Sequence, residues 1–245
     1  MVRKVMVVSG ALLAVSLAGC ESTNTGKQSV GISFSTKAPT ALATGSQPAS
    51  FAITVTSGAN TLVITKAQLV LRELELKLST TESCSTGTAA DNCEEIQLGP
   101  MLIELPVTDV VASPITAQVP NGTYREIEFD IRRPQTDPAD LAFVAANPNF
   151  NNVSIRVEGT YNGTPFVFTS ELDQEVQIDF NPPVVITDGN NNATIAVDIR
   201  SWFTNPDGSV INPTTANPGG ANTGVVSERI KMSLRAFEDD DRNGQ

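Results

Sequence analysis

Apolar residues along most of this chain recur at every second position. Val30, Ile32 and Phe34 alternate with small residues, and Phe51, Ile53 and Val55 repeat the pattern. Ile96 and Leu98 precede Gly99-Pro100, and Met101, Ile103 and Leu105 follow it. Ile127, Phe129 and Ile131 alternate with Glu126, Glu128 and Asp130. Val153, Ile155 and Val157 lead to Tyr161-Asn162-Gly163-Thr164, and Phe166 and Phe168 come after. Val176, Ile178 and Phe180 form a further run that Pro182-Pro183 should end, and Ile195, Val197 and Ile199 form the last. A period of two sends successive side chains to opposite faces of a pleated strand, so each run predicts a half-buried strand. Asn-Gly between two such runs predicts a hairpin, because both turn positions need positive φ.

Two segments depart from simple alternation. From Leu69 to Leu78 the run is rich in helix formers, and Val70, Leu71, Leu74 and Leu78 would line a helix. Read as a strand, the apolar phase changes once, near Arg72-Glu73, as one extra residue in a β-bulge would make it do. We read a bulged strand. Between about Thr223 and Phe237, Val226, Ile230, Leu234 and Phe237 recur at helical spacing and predict one amphipathic helix over an open sheet edge or barrel end. The expected fold is therefore mainly β: an antiparallel β-sandwich or partly closed barrel with one C-terminal amphipathic helix. Pro134 to Asn149 is a candidate junction between two β-subdomains, but no long flexible linker occurs there, which favours one core.

The first residues carry a different signal. Arg3 and Lys4 precede an apolar run from Val5 to Leu17, which ends in Leu17-Ala18-Gly19-Cys20. That run has the length of a signal-peptide core and is short for a permanent membrane span. Its last four residues match the lipobox of bacterial lipoproteins. The cysteine thiol receives a diacylglycerol thioether, and the small residues before it admit the peptidase. Residues 1–19 are thus expected to be a lipoprotein signal peptide. Residues 20–29 would be a lipidated Cys20 with a flexible tether, and residues 30–245 the β-rich domain. Glu21 after the cysteine, where Asp favours inner-membrane retention, leans toward the outer membrane.

Composition narrows the chemistry. The chain has 27 acidic and 16 basic residues, a formal charge of -11, and no histidine. Ser-His-Asp and Cys-His catalysis need an imidazole, as do most zinc sites. Nucleic-acid binding needs a basic face, which this chain lacks. Removal of residues 1–19 would leave a net charge of about -13. The expected partners are the membrane, through the N-terminal lipid, and an envelope protein or glycan.

Candidate sites are few. Glu126, Glu128 and Asp130 project from one strand face, a solvated surface in the simplest reading. Asp239, Asp241 and Asn243 match the first half of a calcium loop, D-x-D-x-N-G. The bidentate acid of the twelfth position is not in the sequence, so calcium would need ligands from elsewhere in the fold. Trp202-Phe203 is an aromatic pair that would serve as a glycan or partner contact if exposed, or as a core plug if buried. The main reading is a non-enzymatic binding or structural module; the alternatives are a carboxylate-based glycan hydrolase or a calcium-dependent adhesion module.

Four segments together resemble a known class. They are Ile64 to Leu78, Asn121 to Ile131, Ser201 to Gly219 and Ile230 to Gly244. They are similar to bacterial lipoproteins built around an exported β-domain of unknown function, in which a Gly-x-Tyr, here Gly122-Thr123-Tyr124, recurs as a turn into a sheet. The resemblance implies an envelope location and a β-rich fold and brings no catalytic residue.

With Cys20 acylated, Cys84 and Cys93 are left, flanking a polar stretch of loop composition. In an oxidising compartment they should form a disulfide, contributing about 2.5–3 kcal/mol in the chain-entropy model. Mass spectrometry of the exported protein should show one 84–93 bridge; two free thiols would refute it.

Overall fold

The computed structural model describes residues 27–36, 52–79, 93–96, 99–108, 111–189 and 191–244. Its strands are β1 (Lys27–Ser35), β2 (Ile53–Ser57), β3 (Asn60–Leu78), β4 (Cys93–Ile96), β5 (Met101–Leu105), β6 (Ala112–Pro120) and β7 (Gly122–Ile131), then β8 (Ile155–Tyr161), β9 (Thr164–Ser170), β10 (Gln174–Ile186), β11 (Asn191–Val197) and β12 (Leu234–Glu238). The helices are α1 (Pro138–Ala146), α2 (Ile199–Trp202) and α3 (Thr223–Met232). Two sheets face each other as in a β-sandwich, and neither closes into a barrel. The smaller sheet has the order β12-β11-β1-β6. The larger runs β10-β7-β3-β8-β9, with β2, β4 and β5 also on β3.

The larger sheet is organised by the 19 residues of β3. Along one backbone edge β3 pairs with β8 over Leu62–Leu69 and then with β7 over Leu71–Leu78. At the junction the Val70 amide donates to the Ser154 carbonyl and the Val70 carbonyl accepts from the Arg132 amide. Along the other edge it pairs with β2, β5 and β4 in turn. The expected bulge is present: Glu73 has φ of 42°, and the register against β7 jumps between Arg72 and Leu74. One extra residue restores the phase, so Leu69 and Leu71 before it and Leu74 and Leu76 after it all enter the core.

One apolar cluster joins the two sheets, drawing Val30, Ile32 and Phe34 from β1 together with Leu74, Ile127, Phe129 and Ile195. The antiparallel expectation has one exception: β1 and β11 run parallel, Val30 opposite Asn191 through Ser35 opposite Ala196. At the other end of the core, Phe203 makes edge-to-face contacts with Phe166 and Phe168, ring centroids 6.5 and 5.2 Å apart. The Gly-x-Tyr turn also has a physical role. Tyr124 is fully buried and its hydroxyl donates to the Pro120 carbonyl at 3.0 Å, pinning the turn between β6 and β7.

Three expectations are corrected. The C-terminal helix stops at Met232, and Leu234–Glu238 is a strand paired with β11. Leu234, Ala236 and Phe237 satisfy either period, and the free edge of β11 decides between them. Pro182-Pro183 does not end β10, which continues to Ile186 across a register shift between Asp179 and Val184. Edge strands accept proline at such shifts because no ladder bond is demanded there. The strand expected from Val30 begins earlier, at Lys27.

Residues 138–150 of the candidate junction form a short helical cap. Asp137 caps α1, its Oδ1 accepting the Asp140 amide at 3.0 Å. Phe143 and Phe150 then cover Val70, which faces away from the main core. The cap is fastened by an ion pair between Arg72 and Asp140, whose carboxylate is fully buried. Removing one member of a buried pair leaves a charge without compensation. Asp140→Ala or Arg72→Ala should therefore cost about 3–5 kcal/mol in chemical denaturation. The double variant Arg72→Met/Asp140→Leu should lose less than either single change.

Candidate functional site

The carboxylates of β7 lie on the outer face of the larger sheet, where the bulge and the strand registers assemble more acid than one strand suggests. Glu128 stands between Glu75 of β3 and Gln177 of β10, and Asp130 between Arg72 and Glu175. Glu126 stands between Lys77 and Asp179. The bulge adds Glu73. Glu73, Glu75, Glu128, Asp130 and Glu175 ring a depression of about 100 Å³ whose floor is Leu74 and Phe129.

The face is held by internal neutralisation. Lys77 Nζ bonds Glu126 Oε1 at 2.8 Å and also bonds Glu128. Gln177 Nε2 donates to Glu175 Oε1 at 2.8 Å and to Glu128 Oε2 at 3.2 Å. Burial alone would depress the Lys77 ammonium and raise the Glu128 carboxyl, but Glu126 and Glu128 together override it for Lys77, and Lys77, Glu175 and Gln177 together override it for Glu128. Lys77 is held above its ordinary value and Glu128 below. Asp130 is raised by burial and by the charge of Glu73. Glu175 is raised because it shares a hydrogen bond with Glu128. Among the described residues, no group of three or more Cys, Asp or Glu side chains is disposed to hold a metal ion.

The other expected sites land elsewhere. Trp202 and Phe203 are not a surface contact: they are 1% and 0% exposed. The Trp202 indole N–H donates to Ser233 Oγ at 2.7 Å, and that hydroxyl donates to the Ile230 carbonyl. The pair seats the end of α3 on the core. Asp239 is buried, and its carboxylate accepts the Thr194 hydroxyl at 2.6 Å and the Asn243 and Gly244 amides at 2.9 and 3.0 Å. Asp241 accepts from Asn243, through both its backbone and side-chain amides. The oxygens proposed for calcium thus serve as turn acceptors that fold residues 239–244 back over β11 and β1. Cys20 and Cys84 lie outside the described residues, and Cys93 opens β4 opposite Lys77.

Sequence reasoning missed the polar line beneath this tail. Ser33 Oγ donates to Asn192 Oδ1 at 2.8 Å, and Asn192 Nδ2 donates to the Asp239 carbonyl at 3.1 Å. Ser33, Asn192 and Thr194 are almost completely buried. Asn191 and Asn192 open β11, where they pair with Val30 and Gly31 of the parallel strand β1.

A second depression, of about 320 Å³, lies on the same sheet nearer the β8–β9 turn, lined by Thr65, Gly159, Thr160, Pro165 and Val167 among others. Gly159 in its lining lets β8 approach β3 beside a second register shift, since any side chain there would collide with the Val63 carbonyl. Comparison of the chain with protein-family models, curated proteins and solved structures finds no match.

The acidic face makes stability pH-dependent in two opposed ways. Glu128 is stabilised as an anion, so its contribution is present above the ordinary value of 4.5 and is lost as pH falls through its lower folded value. Glu175 is destabilised as an anion, so its penalty is absent in acid and grows as pH rises through its raised value. Glu175→Gln should raise the melting temperature at pH 7, and the gain should vanish as pH falls below 4.5. A gain that is constant with pH would rule out the shared hydrogen bond as its cause.

Proposed function

We propose that this protein is a cell-envelope lipoprotein, anchored through lipid on Cys20, whose β-body acts as a non-enzymatic binding or structural module, with the outer membrane as its site. The observation that carries the reading is the juxtaposition of Leu17-Ala18-Gly19-Cys20 with the strand β1, whose first residue, Lys27, is seven positions beyond the cysteine. A lipid there would hold the whole sandwich at the bilayer surface. Two or three acyl chains suffice for firm attachment, since each buried methylene contributes about 0.8 kcal/mol.

The chemistry of the acidic face favours a module over a glycan hydrolase. Hydrolysis by two carboxylates needs them on opposite sides of a substrate cleft. Glu128 and Glu175 instead sit on adjacent strands, bridged by Gln177 Nε2, and Lys77 bonds the same Glu128 oxygen that Gln177 does. A polar face cross-linked in this way, beside a shallow apolar depression at Gly159 and Val167, suits surface recognition of an envelope protein or glycan.

Cys20→Ser should abolish incorporation of labelled palmitate and move the protein from the membrane to the soluble fraction. If the variant and the wild type fractionate alike and neither takes up label, the reading fails.

A further inference from the structure

The strand registers sort the turns of the molecule into two poles. Lys27 lies opposite Pro120, Gly122 opposite Ile186, and Leu78 opposite Tyr124. The start of β1, the β6–β7 turn, the end of β3 and the β10–β11 turn therefore lie together. Asp188 binds them: Gln28 Nε2 reaches its Oδ1 at 2.8 Å and Asn121 Nδ2 reaches the same atom at 3.3 Å. The tail joins this pole through Asn192, whose amide donates to Asp240 Oδ1 at 2.9 Å.

The opposite pole is the far end of β3. There the β2–β3 turn at Gly58-Ala59 meets the β8–β9 turn at Asn162-Gly163. Asn162 accepts the Thr61 amide on its Oδ1 at 2.8 Å, returns its own amide to the Thr61 carbonyl, and bonds Asn60 through Nδ2 at 2.9 Å. Nineteen extended residues separate the two poles by up to roughly 60 Å. The seven residue steps from Cys20 to Lys27 reach about 25 Å at most.

We propose that the pole holding Lys27, Asn121 and Asp188 faces the lipid surface, and that β3 carries the paired hairpin tips outward as the part an envelope partner meets. The proposal rests on the lipid-anchor reading for its biological setting. Charge opposes lying flat more than standing, since the near pole presents the exposed Asp188, Asp240 and Asp241 whereas the broad face presents a larger ring of acids. Toppling onto the outer face of β3, β7 and β10 would press Glu73, Glu75, Glu128, Asp130 and Glu175 against lipid phosphates, an approach that like charge opposes within a Debye length. The shallow depression at Gly159 and Val167, on the outward half, would then be the accessible one.

The test uses the exported chain beginning at Cys20, ligated through its N-terminal cysteine to a lipid thioester. The chain is placed on phosphatidylcholine–phosphatidylglycerol vesicles that carry a headgroup quencher. One fluorescent non-natural residue replaces either Asn121 or Ala59, both exposed turn positions. Loss of fluorescence at 121 with none at 59 is expected. Equal loss at both positions, or greater loss at 59, overturns the orientation. Because the ligation supplies the anchor chemically, this result stands apart from whether cells acylate Cys20.

Discussion

The whole molecule depends on both edges and both faces of one strand being used at once. A strand offers two rows of backbone hydrogen bonds and two rows of side chains. β3 spends the first on five partner strands and the second on two separate apolar clusters. The bulge at Glu73 makes this possible. Without it, the residues after Arg72 would send Leu74 and Leu76 to solvent and Glu75 and Lys77 inward. With it, the strand keeps one apolar face along its full length. Its outward side holds Val70 and Arg72, and α1 closes over them.

How far this was legible in the sequence follows from how local each signal is. The bulge showed as a single slip of phase, because both halves of β3 carry their own alternation. The Asn162-Gly163 turn showed because positive φ is demanded at both positions, and they have φ of 51° and 77°. Elements fixed by distant partners were not legible. β12 carries apolar residues that fit a helix as well as a strand, and only the edge of β11 selects the strand. The parallel pairing of β1 with β11 joins residues about 160 apart in the chain, and no local pattern announces it. The helix α1 did leave a trace in Asp137-Pro138 followed by Asp140, a capping arrangement that its weak apolar periodicity masked.

The candidate sites divide in the same manner. The acids of β7 were visible as one alternating row. Their depth as a cluster was not, because Glu75 and Glu175 arrive from strands paired on either side. Trp202-Phe203 could be read as exposed or buried, and burial follows from Ser233 supplying the one hydrogen bond the indole needs. Asp239 belongs to a calcium-like string by its spacing, yet spacing says nothing about which way a carboxylate turns. It turns inward because Thr194, a buried hydroxyl on β11, requires an acceptor there.

A sandwich with several strand edges must also avoid pairing with copies of itself. Here two edges of the larger sheet are treated differently. The side chain of Asn217 accepts the Thr169 amide at 2.8 Å and donates to the Val167 carbonyl at 3.2 Å, so its amide group occupies the place of a neighbouring peptide on β9. β10 carries Pro182 and Pro183, which offer no N–H. The acidic face adds a third device that acts at a distance. Within one molecule the repulsion between Glu128 and Glu175 is local, bridged by Gln177 and offset by Lys77. Between two molecules the same carboxylates meet as a whole face, and their repulsion sums. A small internal cost, screened by water at partly exposed groups, thus sets a larger barrier against stacking of one sheet on another.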